Sequence, residues 1–370
     1  MVLDNPCLSM RWTDALAARE HGMVSPLWLV SDEPEVNDLV VYLDRMRREI
    51  EQAPNADHTI EFSRANLHQV RAAFARMIRR GEERLHRFCE LAGDAFLDGR
   101  YALQSLAVGS VNTTKERFTL VKDITPDYLY SLTDLDLGNR QVARLRYFDG
   151  ERWSPTSLVA NVVEYHPESI NDWRVYKMVS RIKAEEQIWN KVVDTIFDLD
   201  RLVEQDKQLR HLNRFVKDVF GVKFVVSDQD AVRALQESLR ALAWTPEQLE
   251  RHGVPVVPST AALECLEVKD YLSADEGLKA SGWQAIKSVF HWWDTMIEVQ
   301  VQPLGNYLQE RERLTRESHA GFKSRREEIR NRVAESIPLF GFYRDLLTWL
   351  FLEPETEAPL FERVRIVVSD

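Results

Sequence analysis

The sequence predicts an α+β chain, in which a mixed helical and β N-terminal part precedes a second part built from strands and helices. Three observations carry this. Two long segments repeat apolar residues at threes and fours, a stretch from about 101 to 163 breaks into short β-like runs with turn punctuation, and residues 296–302 alternate apolar and polar side chains. At 370 residues the chain exceeds one ordinary domain, so two units are expected.

The first helix is expected over Glu35 to Gln52, where Val36, Leu39, Val40, Leu43, Met46 and Ile50 share one face and Pro54 stops the pattern. The second runs from about Ser63 to Leu91, with Leu67, Val70, Phe74, Met77, Leu85 and Phe88 inward and arginines filling the other face. From Tyr101 to Val163 the texture is β-like. Within it Arg144 to Arg152 reads as a hairpin turning at Asp149-Gly150. Pro155 and Pro167 mark a boundary, after which Lys/Arg-rich helical character returns. This divides the chain into an accessory domain at 1–170, a second domain at 171–335, and a C-terminal helix and tail at 336–370, with Leu346 to Leu352 a buried helix end.

Composition narrows the function. With 44% hydrophobic and 29% charged residues the chain is neither disordered nor fibrous. A net charge of −11 argues against a surface that tracks nucleic acid throughout, and leaves room for a local basic pocket. Cys7, Cys89 and Cys265 stand far apart, which supports neither a disulfide framework nor a cysteine zinc site and fits a reducing cytoplasm. No secretory pattern and no run near about eighteen apolar residues is present, so no membrane partner is expected.

Chemistry-bearing residues cluster in the second part. From Val179 to Lys191 the spacing reads as a helix bearing Arg181, Lys183 and Lys191, a set of cations suited to a polyphosphate and equally to a solvated basic face. Asp218 and Gly221 lead into the β-branched run Val222 to Val226, where an acid at a strand start suits Mg²⁺ or a simple turn. A β-like run continues from Ile286 through His291. In the segment 296–302, Glu298, Gln300 and Gln302 share one strand face, either an exposed face or one carrying a carboxylate base. His319 has no second His or Cys at ligand spacing.

In this order the pieces SRIKAEEQIWNK, DVFGVK, KASGWQAIK, EVQVQ and HAGFK resemble the synthetase domain of the RelA/SpoT family of alarmone synthetases, over about Val179 to Lys323. The resemblance implies a nucleotidyltransferase-like fold, a mixed and mainly antiparallel sheet flanked by helices. It also implies transfer of pyrophosphate from ATP to a ribose 3′-hydroxyl of GDP or GTP, with Mg²⁺ as cofactor. Carried over by position, Arg181, Lys183, Lys191 and Lys223 would hold ATP, and Asp218 and Glu298 would be catalytic and bind the metal. Lys279, Trp283, Gln300, Asn306, His319 and Lys323 would meet the acceptor, with Trp283 stacking on its base.

Departures fall on both substrates. Lys223 replaces an Arg that stacks on adenine, while Lys287 and Gln302 replace a His and an Arg on the acceptor side. The acceptor is therefore open between a guanine nucleotide, an adenine nucleotide and the tRNA 3′ end, the last drawing on Arg325, Arg326, Arg330 and Arg332. A catalytically inactive nucleotide sensor is the reading from another class. The segment from Val192 through Ile196, Leu199 and Leu202 reads as a helical insertion. None of the nine histidines precedes an Asp, so a histidine-aspartate phosphohydrolase site is absent, and residues 1–170 would regulate, bind a partner or support a homo-oligomer.

Overall fold

The computed structural model describes residues 25–28, 30–111, 113–114, 116–143, 145–148, 150–199, 216–272, 283–316 and 318–370, with backbone alone for 311–326. The chain divides into two compact units, one of Met1–Met77, Glu185–Val216 and Asn331–Asp370, the other of Ile78–Ala184 and Lys217–Arg330. These cuts differ from a linear split at residue 170.

In the first unit, α1 (Pro34–Gln52) buries the six apolar residues its spacing picks out. Strand β1 (His58–Ser63) pairs in parallel with the C-terminal strand Val364–Ser369. The helix α2 (Arg64–Phe96) begins here and supplies Phe74, which packs on Trp189 at 4.8 Å between ring centroids. Trp189 in turn stacks on Phe351 at 3.8 Å. The expected insertion is core of this unit, since Val192, Ile196 and Leu199 are buried; Leu202 lies outside the described residues.

The second unit is organised by one large sheet. Its strands are β2 (Tyr101–Val111), β3 (Arg117–Ile124), β4 (Arg146–Phe148), β5 (Trp153–Pro167), β6 (Val175–Ile182), β7 (Phe220–Val226), β8 (Glu264–Asp270), β9 (Ile286–Trp292) and β10 (Thr295–Pro303). The order is β3-β2-β5-β6-β7-β10-β9-β8, with β4 paired to β5. Only the β7–β10 pair among these is parallel, so the mixed, mainly antiparallel sheet flanked by helices is present as expected.

Two local readings need correction. Residues 175–182 form a strand and not a helix start, because Met178 and Ser180 point into the core while the backbone is hydrogen-bonded on both sides, to β5 and β7. The helix α5 begins only at Glu185 and ends at Ile196. Between β3 and β5 two short helices interrupt the β-like stretch, α3 (Pro126–Tyr130) and α4 (Asp134–Val142). Each has a threonine N-cap, Thr125 and Thr133, whose side chain accepts a backbone N–H, a signal readable in the sequence. The hairpin is present, with Phe148 opposite Trp153 and Gly150 at φ +104°; Asp149 lies outside the described residues.

The sheet has two unlike faces. Phe220, Val222, Phe224, Ile297, Val299, Val301 and Phe290 point to one, and all are buried. The second half of α2 covers it: Gly81 lies against the Phe220 ring, Phe88 against Trp292 and Phe96 against Phe224. Each such side chain contributes about 1.5–3 kcal/mol by leaving water. The helix α6 (Gln229–Arg240), capped by Asp228, packs on β9 and β10. The remaining helices of the described chain are α7 (Pro246–Arg251), α8 (Pro258–Ala261), α9 (Leu304–Arg316), α10 (Ser318–Ser336) and α11 (Pro338–Phe351). Among the described residues no helix is long and apolar enough to cross a membrane.

Candidate active site

The other face of the sheet is polar, and strand register says which residues share it. Gly221 on β7 stands opposite both Arg181 on β6 and Glu298 on β10, so these three lie in one row across the sheet. In the next row Lys223 stands opposite Gln300, which stands opposite Lys287 on β9. Period-two alternation adds Gln302 and, on β5 and β6, Glu164 and Lys177.

Two carboxylates on this side are each held by a lysine. Lys183 Nζ donates to Asp218 Oδ2 at 2.6 Å, and its backbone N–H bonds the Val219 carbonyl at 2.8 Å, which fixes the link after β6 beside the start of β7. Lys287 pairs with Glu298 Oε2, while Gln300 Nε2 donates to Glu298 Oε1 at 2.7 Å. Glu298 is 6% exposed and Gln302 fully buried, so the alternating strand is no solvated face. Burial works against the Lys287 ammonium, yet the charge and hydrogen bond of Glu298, with the charge of Asp218, outweigh it and hold its pKa above the usual lysine value.

Above Gly221 the row is open. A Cβ built there would meet only the Glu298 carbonyl at 3.5 Å and the Arg181 carbonyl at 3.8 Å, both ordinary contacts. Packing therefore does not demand glycine. Its effect is to leave the floor between exposed Arg181 and Glu298 free of any side chain.

The helix α9 lies over the neighbouring rows. Glu310 on it pairs with Lys223 at 3.0 Å and accepts from Gln302 Nε2 at 3.0 Å. The Tyr307 ring faces the Lys177 and Lys223 ammoniums at 5.2 Å and 5.7 Å. Lys177 and His166 also bind Glu164; burial would raise this carboxyl, but their hydrogen bonds outweigh it and hold its pKa low.

Beyond the ends of the parallel strands β7 and β10 is a cleft of about 420 Å³ lined by Ser227, Gln229, Gln284, Pro303 and Asn306 among others. Asn306 Oδ1 accepts from the Gln284 backbone at 3.1 Å and from Gln302 Nε2 at 2.7 Å, which ties this cleft to the polar face. Trp283 precedes Gln284 and packs edge-on against Tyr271 at 5.2 Å.

Of the residues expected from sequence, the fold thus gathers Arg181, Lys183, Asp218, Lys223, Glu298 and Gln300 on one side of one sheet, with Trp283 and Asn306 at its edge. Lys191 lies on α5, in the first unit. Lys279 lies outside the described residues, as do the side chains of His319 and Lys323 on α10. Sequence reasoning missed Glu310, Tyr307 and the pairing of Lys287 with Glu298. Strand register places the Lys287 pair, and the packing of α9 on the sheet places the other two.

Neither a family model nor a curated protein matches the chain. Solved structures that it resembles include small alarmone synthetases. Small alarmone synthetase 2 from Bacillus subtilis is 13% identical, over 45% of this chain and 78% of that one, with a TM-score of 0.25. Small alarmone synthetase 1 from the same organism, bound to its product pppGpp, is 16% identical over 42% and 78%, with a TM-score of 0.22. A further structure of the latter enzyme gives 16% identity over 43% and 80%, and a TM-score of 0.21. At such overlap the likeness carries no substrate to this chain.

Proposed function

We propose that the polar face is the active site of an ATP-dependent pyrophosphokinase that moves the β,γ-pyrophosphate of ATP to the 3′-hydroxyl of GDP or GTP, forming (p)ppGpp. The observation that carries it is the pairing of two carboxylates, Asp218 and Glu298, with Lys183 and Lys287 beside an open floor at Gly221 that faces Arg181. Charge neutralisation and alignment are what phosphoryl-type transfer asks of a protein.

In this reading Glu298 takes the proton of the acceptor 3′-hydroxyl. The oxygen forms a bond to the β-phosphorus, the bond from that phosphorus to the α,β-bridging oxygen breaks, and AMP departs. Arg181 and Lys183 hold the ATP phosphates, and Lys223 meets the adenine side. Gln300 and Lys287 fix the Glu298 carboxylate from both of its oxygens. Trp283 stacks on the acceptor base beside the cleft that Asn306 lines.

The donor set fits Mg²⁺. Asp218 and Glu298 offer carboxylate oxygens, and this ion takes one or two carboxylates together with substrate phosphates. Bound there, it would neutralise charge on the transferring group.

Of the four arginines that would favour a tRNA acceptor, Arg325 and Arg326 have side chains outside the described residues, Arg330 lies 3.6 Å from Glu327 and Arg332 is exposed. The acceptor taken in this reading is a guanine nucleotide. The test is incubation with Mg²⁺ and ATP labelled on the γ-phosphate, offering GDP, GTP, ATP and bulk tRNA separately, with Glu298→Gln alongside. Label should enter GDP or GTP and vanish in the variant. Label in tRNA or ATP alone would overturn the acceptor, and binding of ATP with no transfer to any acceptor would favour a sensor.

A further inference from the structure

A second cluster of ligating side chains lies on the apolar side of the sheet, and the proposed chemistry makes no use of it. Glu82 and His86 stand one turn apart on α2, and Asp134 opens α4, forty-eight residues beyond His86. All three are at least nine-tenths buried. His86 Nε2 lies 3.0 Å from Asp134 Oδ1 and 4.0 Å from Glu82 Oε1, and one donor atom from each residue falls within 4.8 Å of the others.

The surroundings are those of a ligand set with its supports. The Tyr165 hydroxyl, 3.2 Å from His86 Nδ1, fixes the ring so that Nε2 faces the two carboxylates. The backbone N–H of Asp134 donates to Glu82 Oε1. Asp134 Oδ2 is fully buried, with no hydrogen-bond partner among the described residues. Burial and then the nearby Asp134 charge push the Glu82 carboxyl above the usual carboxylate range, as two acids crowded in a dry core do.

We propose that Glu82, His86 and Asp134 bind one divalent transition-metal ion of the Zn²⁺ or Mn²⁺ class, which pins α2 to α4 behind the sheet. Two carboxylates, a neutral imidazole and a dication sum to zero charge, which a buried site requires. Metal bonds of about 2.0–2.2 Å need donor pairs within roughly 4.2 Å, which the His86 pairs satisfy as they stand. The imidazole favours a borderline ion such as Zn²⁺ over Mg²⁺ or Cu⁺, and the two carboxylates also suit Mn²⁺. Cys89, also buried nearby, offers no thiolate, because burial drives its pKa far above the usual value.

The test uses the full chain, stripped with a chelator and dialysed separately against Zn²⁺ and Mn²⁺. Metal content is read by mass spectrometry and the melting temperature by calorimetry. One equivalent of one ion should be retained, with a rise of several degrees on loading. His86→Gln and Asp134→Asn should each keep less than a tenth of an equivalent, and Glu298→Gln a full one. Should the variants fold poorly, Co²⁺ added to the stripped wild type still reports, through visible bands of an imidazole and carboxylate site. Wild type that keeps no ion, shows no bands and melts alike with or without metal would overturn the site and leave a proton-sharing Glu-His-Asp network. Equal metal in the wild type and both variants would overturn it as well.

Discussion

Lys287 and Glu298 form an ion pair on a diagonal of the sheet, since the register sets Lys287 opposite Gln300 and Glu298 opposite Val289. The lysine is partly exposed and the carboxylate almost wholly buried. Removing the ammonium strands a buried charge, which costs about 3–5 kcal/mol in a closed core and less where the lysine is partly exposed. Lys287→Met should therefore lose about 2 kcal/mol in urea denaturation. Adding Glu298→Gln should recover part of that loss, and strict additivity of the two changes would refute the coupling.

Gly81 marks where α2 meets β7. A Cβ there would fall 2.0 Å from Phe220 Cζ. Alanine ordinarily favours a helix by about 1 kcal/mol over glycine. Here Gly81→Ala should instead destabilise by about 1–3 kcal/mol, because the ring cannot retreat from a filled core. Phe220→Leu in the same chain should return some of that stability on thermal denaturation.

Gly221 separates the site from the fold. Its missing side chain opens the floor between Arg181 and Glu298, and a Cβ would make only ordinary contacts. Gly221→Val should unfold within about 1 kcal/mol of wild type, as a branched residue suits a strand. Its pyrophosphate transfer should nevertheless fall more than tenfold. Unchanged turnover would place the reaction elsewhere.

Glu310 holds Lys223 at 3.0 Å, in competition with any nucleotide that calls on the same ammonium. Glu310→Gln should tighten ATP binding by about three- to tenfold, the range that up to about 1.4 kcal/mol of released competition gives. Lys223→Ala should weaken it. Calorimetric titration with ATP checks both, and the opposite order would show that Glu310 assists binding.

His252 joins the end of α7 to α2, with Nε2 at 2.7 Å from Asp94 and Nδ1 at 3.4 Å from Glu90. The Glu90 hydrogen bond raises its pKa most, burial opposes, and Asp94 adds to the rise. A raised histidine stabilises fully below its unfolded pKa and loses that contribution as pH climbs through the folded value. His252→Gln should therefore cost about 1–2 kcal/mol near pH 6 and clearly less near pH 9. A cost that grows with pH would reverse the assignment.

Local periodicity determined much of this protein. The apolar face of α1, the body of α2, and the strands around Val222 and Val299 follow from spacing, because side chains three to four apart on a helix or two apart on a strand meet the same surroundings. Periodicity left Asp218 open between a turn and a metal ligand, and Glu298 between an exposed strand face and a base; the ordered resemblance of five short segments is what singled them out.

What tertiary structure decided depends on pairing between distant segments. Arg181 lies on a strand and not on a helix because β5 and β7 flank it, residues from well before and after in the chain. Gln302 is buried because α9 brings Glu310 and Asn306 onto it. His86 meets Asp134 only through the fold, and the two compact units are assembled from interleaved segments. A period reports which face of an element turns inward; which neighbour waits there is set by long-range register, and no local window contains it.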